Sequence, residues 1–164
     1  MSGITFNPPN ADAEAPAAPA PADEVRLSAF WPAVNITAVR EAARLDTNIT
    51  PGRLRDAVRL AMLDVAGELA AWRAEQEALG FTRLEDVPAR LQVDGVSDYL
   101  MRFNRAIYSV VAADLAERQI GSALAAAGAE RAEQLREDVD VHMRNVRYAV
   151  RDFLGRPRAR VALV

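Results

Sequence analysis

The sequence predicts an all-α fold, a helical bundle of about four main helices between a Pro/Ala-rich N-terminal arm and an extended C-terminal tail. Three observations carry that expectation. Apolar residues recur at steps of three and four through most of the chain, the spacing that gathers one face of a helix. Gly, Pro and Asn/Asp punctuation separates these runs at helix-length intervals. Strand-like alternation of period two appears only at the C-terminal end. The boundaries read as 1–24 for the arm, 25–154 for the helical domain and 155–164 for the tail.

With 164 residues, 51% of them hydrophobic and 26% charged, the chain has the composition of one soluble globular domain. The net charge is −3 and all 20 basic residues are Arg. Nothing in that total favours a basic clamp on nucleic acid. The absence of Cys excludes disulfides, thiolate metal sites and thiol nucleophiles. No basic, apolar leader and no long apolar run is visible, so the expectation is a product made in the cytosol, with no membrane span.

Residues 8–22, PPNADAEAPAAPAPA, hold five of the nine prolines. Pro blocks helix hydrogen bonding and Ala buries little, so the stretch cannot offset the entropy of ordering by itself. It reads as a flexible arm, either an idle linker or a segment that orders on a partner. Phe30 and Trp31, beside Pro32, are adjacent rings in an aromatic-poor chain. They read as a core anchor, with a partner contact as the alternative.

The triplet Asn-Ile-Thr occurs at 35–37 and again at 48–50. As glycosylation sequons both would need the secretory route. As punctuation they place Thr37 and Thr50 at helix N-caps, where the hydroxyl accepts from an orphan amide. Pro51 then stands at a first helical position, where its missing N–H is harmless. Val39, Ala42 and Ala43 mark a short first helix, and Asp46, Thr47 and Asn48 a turn. Leu54, Val58, Ala61, Val65, Leu69, Trp72 and Leu79 form one stripe of a long helix from Pro51 to Leu79, stopped by Gly80.

Residues 81–97 read as a connector. Thr82 and Glu85 have capping-box spacing for one short turn, limited by Pro88, and Asp94-Gly95 signals a turn. A third helix is expected from about Asp98 to Gln119, with Leu100, Phe103, Ile107, Val110, Val111 and Leu115 on its apolar face. GSALAAAG at 121–128 reads as a small-residue break. A fourth helix runs over roughly 129–154 and ends at Gly155, beyond which Pro157 prevents its return. In the tail, Pro157, Ala159, Val161 and Leu163 alternate with Arg156, Arg158, Arg160 and Ala162. An extended segment of this kind can add to the sheet edge of another subunit. Charge is polarised here: five acids and two Arg lie between Glu130 and Asp140, but six Arg and one Asp from Arg144 onward.

Candidate chemistry is sparse. His142 is the single histidine, on a helix, and no phosphate loop, metal-spaced cluster or nucleophile motif is present. No catalytic residue, metal or cofactor is assigned, and the protein reads as a non-enzyme. A helix-turn-helix over 37–60 is the alternative, with Arg53, Arg55 and Arg59 where base contacts would lie. Against it stand an acidic total and a second helix that runs on as core.

The chain also resembles the head-completion, or head–tail adaptor, proteins of tailed phages, of the GPL type. The likeness spans about residues 25–164. It rests on Phe30-Trp31-Pro32, Arg44-Leu45-Asp46 leading to Thr50, Arg53-Leu54, and Glu68-Leu69. It continues through Arg105-Ala106-Ile107-Tyr108, Leu115 with Glu117-Arg118, and Asp152 followed by Leu154-Gly155-Arg156-Pro157-Arg158 and Val161-x-Leu163. Departures are Ala66 where an Asn often stands, and Gln119 where a Tyr commonly follows the Glu-Arg pair. The resemblance implies a mostly helical adaptor in the virion neck, forming a ring, typically of twelve copies, on the portal. Packaged DNA passes through its channel without sequence-specific binding, and the next neck or tail-completion protein docks on it. In such adaptors the C-terminal segment grips the portal, which here points to Arg156, Pro157, Arg158, Arg160, Val161 and Leu163. Arg53 then reads as a contact between neighbouring subunits.

Overall fold

The computed structural model describes residues 22–45, 48–126 and 128–157, with side chains of 121–126 left aside. The arm up to residue 21 and the tail from Arg158, with its expected alternation, lie outside the described residues. The described chain is mostly helical, as expected, with two small ribbons that the sequence did not suggest.

Strand β1 (Glu24–Val25) pairs antiparallel with β2 (Val34–Asn35). Asp23 accepts a backbone hydrogen bond from Ile36 at 2.7 Å, so the folded unit already includes residues assigned to the arm. Helix α1 (Ile36–Ala42) starts directly from β2. Its N-cap is Asn35, whose side-chain oxygen accepts from Ala38 N at 2.9 Å, and not Thr37 as expected. The ribbon fixes Asn35 in extended backbone, and its amide also reaches Asp23, so the helix opens two residues earlier. The second triplet behaves as read: Thr50 caps α2 (Pro51–Glu68), with Pro51 in its first turn.

The expected single helix from Pro51 to Leu79 is divided at Leu69, where α3 (Ala70–Ala78) begins. The hydrogen bonds Leu69 N to Val65 O and Arg73 N to Leu69 O carry the ladder across, so the division is a local deviation. Leu69 is 1% exposed, whereas Leu79, placed on the same stripe, is 71% exposed. The connector contains a 3-10 turn (Leu84–Asp86) that has no side-chain cap, so Thr82 does not play the capping role. A hairpin follows: β3 (Gln92–Val93) and β4 (Val96–Ser97), joined by Asp94-Gly95 with both residues at positive φ, as a two-residue turn requires.

Helix α4 (Asp98–Ala126) continues past Gln119 through most of the stretch expected to break it. Alanine is the strongest helix former, and one Gly at position 121 does not outweigh the run that follows it. At about 1.5 Å per residue α4 is about 43 Å long. Helix α5 (Ala129–Phe153) returns against it. Helix α4 is central, packing against both α2 and α5. Among the described residues there are five helices rather than four, with the hydrogen-bond ladder carried from α2 into α3.

Phe30 and Trp31 are 2% and 3% exposed. Trp31 stacks on Phe103, with centroids 4.8 Å apart and planes 1° apart, and meets Phe30 edge-on at 5.0 Å. Trp72, Tyr99 and Phe153 extend the cluster, joining α3, α4 and the end of α5. Phe30 and Trp31 are therefore packed as core anchors, the first of the two readings; with both rings spent on internal packing, the alternative of a subunit or neck contact through them is not favoured.

Candidate functional site

The arrangement with most built polar structure lies where the C-terminal tail leaves the bundle. Helix α5 ends at Phe153 with Leu154 as its C-cap, and Gly155 adopts φ +67°. Arg156 N donates to Arg151 O at 2.9 Å and Gly155 N to Asp152 O at 3.2 Å, the paired bonds of a Schellman termination. Gly is needed twice here. Its φ lies in the left-handed region, and a Cβ would stand 2.6 Å from Arg90 Nη1.

Arg90, just before the β3–β4 hairpin, locks this end in place. Its Nη2 donates to Asp152 O and Phe153 O, each at 2.8 Å, satisfying carbonyls at a helix terminus. The same guanidinium reaches Asp98 Oδ2 at 3.1 Å and lies 4.7 Å from the Tyr99 ring centre. Asp98 is 6% exposed at the first position of α4, where the helix dipole favours an acid. It also accepts from Leu91 N and from Arg102 Nε, each at 3.4 Å, while Arg102 Nη1 pairs with Asp152 at 3.0 Å. Two arginines and two carboxylates thus tie the hairpin, the start of α4 and the end of α5 into one corner. Arg151 donates to Pro157 O at 2.7 Å and aims the first tail residues.

Of the residues assigned to docking, Arg156 and Pro157 are exposed at this root. Arg158, Arg160, Val161 and Leu163 lie outside the described residues. Arg53 is elsewhere, exposed near the start of α2, beside a cleft lined by Ile49, Asp56, Leu115 and Arg118. Sequence reasoning missed Arg90, Asp98 and Arg102. An acid opening a helix with an Arg four residues later was a legible signal for the Asp98–Arg102 pair. Nothing local marks Arg90 as a helix-end lock, since the carbonyls it holds lie 62 and 63 residues away.

The helix-turn-helix alternative is not favoured. Arg55 is bound to the backbone oxygens of Ala22 and Glu24, and Arg59 is paired with Asp56 at 3.0 Å. Helix α2 buries Leu54, Ala57, Val58, Ala61, Met62 and Val65 as a core element. Among the described residues no group of three or more His, Cys, Asp or Glu comes together as a metal-ligand set, and no helix is long and apolar enough to cross a membrane. Burial raises the Tyr108 phenol above its ordinary value.

The phage head completion protein (GPL) family matches residues 25–164. A head completion/stabilization protein of Escherichia phage P2 is 34% identical over 140 residues, covering 85% of this chain and 82% of the relative. No solved structure matches the chain. Because the family match begins at β1 and runs through the helical domain and tail, the chain belongs to the phage head completion protein family.

Proposed function

We propose that this protein is the structural adaptor that completes the head of a tailed phage or phage-like particle. It binds the portal as a ring, of twelve copies when the portal has twelve, and extends or closes the DNA channel. Its free side receives the next neck or tail-completion protein, and it resides in the virion. Its work is positional, not catalytic. DNA passes through the ring without sequence-specific contact, in keeping with the net charge of −3.

The observation that carries the docking mode is the rigid root of the tail. A Schellman-capped helix end, held by Arg90 and Arg102, leaves Arg156 and Pro157 exposed where the tail begins. A fixed launch direction reduces the entropy lost when the following segment, alternating around Val161 and Leu163, docks on a partner. The test is a pull-down with the cognate portal, comparing the full chain with one ending at Gly155. Retention by the full chain alone supports tail docking; equal retention refutes it.

A further inference from the structure

The β3–β4 hairpin carries an exposed apolar face and an open edge beside the root of the C-terminal tail. Val93 and Val96 are paired directly across the ribbon, so their side chains share one face, and they are 53% and 43% exposed. Leu91, two residues before Val93, falls on that face by strand alternation and is 66% exposed. The opposite face bears the polar pair Gln92 and Ser97. Leu91 O accepts from Asp98 N at 3.0 Å, so Leu91 turns its backbone groups towards the partner strand. Gln92, the next residue, turns its N–H and C=O to the outer edge, where neither has a backbone partner among the described residues. An exposed apolar ribbon with an unpaired edge is a template for one more strand.

The chain supplies such a strand at the same corner. Leu91 and Pro157 line one cleft, together with Arg90 and Arg156. Seven residues follow Pro157, with Ala159, Val161 and Leu163 alternating with Arg158, Arg160 and Ala162. Extended at about 3.3 Å per residue they reach about 23 Å, several times the length of the two-residue strand β3. Their two-sided pattern matches the ribbon: an apolar face for Leu91, Val93 and Val96, and an arginine-bearing face on the side of Gln92 and Ser97.

We propose that, before any partner is met, the C-terminal tail adds to the outer edge of β3 in its own chain as a third strand. Val161 and Leu163 then cover the apolar face, and the backbone of Gln92 gains its missing hydrogen bonds. A tail rooted in the same cleft is held at an effective concentration on the order of millimolar, above that of a second copy in dilute solution, so the strand comes from the same chain. On the tail-docking reading above, on which this second step rests, the residues that grip the portal are kept by their own chain until the portal displaces them from β3. Until then, the closed edge keeps chains in solution from engaging one another.

The natural absence of Cys gives a direct test in the full chain. Val161→Cys or Leu163→Cys is combined with Val93→Cys, on the apolar face, or with Gln92→Cys, on the opposite face, and each protein is oxidised mildly at low concentration. The faster of the two Val93 combinations is expected to close an intrachain disulfide at least tenfold faster than either Gln92 combination, and to stay monomeric. Equal rates would show a tail that is tethered but unpaired, and a dimer would show an edge closed by a second copy. Either result, or no disulfide at all, would overturn the pairing. Hydrogen exchange is a second measurement: the Gln92 amide should exchange at least tenfold more slowly in the natural chain than with Val161→Asp and Leu163→Asp together, and equal rates would count against the pairing. Portal-bearing heads then test the displacement. The oxidised Val93 combination should be retained only after reduction; retention of both forms would overturn the displacement while leaving portal docking intact. Failure of the natural full chain to be retained would overturn the docking reading itself, and the disulfide and exchange results would still decide the pairing.

Discussion

Arg90 and Gly155 fit together as side chain against bare backbone: a Cβ on Gly155 would come within 2.6 Å of Arg90 Nη1. The missing side chain therefore serves both the +67° backbone turn and the approach of the guanidinium to the end of α5. Gly155→Ala should lower stability by about 1–2 kcal/mol from the left-handed backbone alone. Displacement of Arg90 adds to that loss. Urea denaturation measures it, and an unchanged midpoint would show that the terminus tolerates a Cβ by relaxing.

The steric part of that loss belongs to the pair. Arg90→Met keeps an apolar stem but removes the donors to Asp152 O, Phe153 O and Asp98. Asp98, 6% exposed, keeps Arg102 and the Leu91 amide, so the expected loss is about 1–3 kcal/mol. Combining Arg90→Met with Gly155→Ala should give less than the sum of the two, because the clash needs both partners. Strict additivity in a denaturation cycle would contradict the contact.

The corner shows which parts of the molecule were legible in the sequence. Local chemistry was: Thr50 with Pro51, the Asp94-Gly95 turn and the Gly155 stop each act through near neighbours, and each appears where expected. Long-range partners decided the rest. Asn35 displaced Thr37 as a cap because β1, ten residues upstream, pairs with β2 and holds Asn35 extended. Leu79 fitted the apolar period yet is exposed at the end of α3, where periodicity alone could not tell whether another element would pack on it. Arg90 looked like any loop arginine until α5 returned to meet it. Of the candidate docking residues, the sequence located the root at Gly155, while the lock that makes it rigid depends on tertiary contacts.

Trp31 tests the core-anchor reading of the aromatic pair. Its ring is 3% exposed and stacks on Phe103 at 4.8 Å. Trp31→Ala should therefore destabilise the isolated chain by about 3–5 kcal/mol. A surface anchor for a partner would instead leave the isolated chain's melting temperature nearly unchanged and lower only its binding. Thermal denaturation without any partner separates the two.

Leu69 sits where α2 gives way to α3 and is 1% exposed. Its burial fastens the chain to the core at the local departure from helical geometry, where the hydrogen-bond ladder continues from α2 into α3. Leu69→Ala should lose about 2–5 kcal/mol. Leu69→Asp should lose more, since no described cation is paired with that position and a buried carboxylate without a partner is strongly unfavourable. The measurable difference is in kind: the Ala variant should unfold cooperatively at a lower midpoint, and the Asp variant should lack a cooperative transition. A cooperative, near-native Leu69→Asp protein would mean that α3 can swing away from the core at this residue, making the division between α2 and α3 a hinge and not a packed joint.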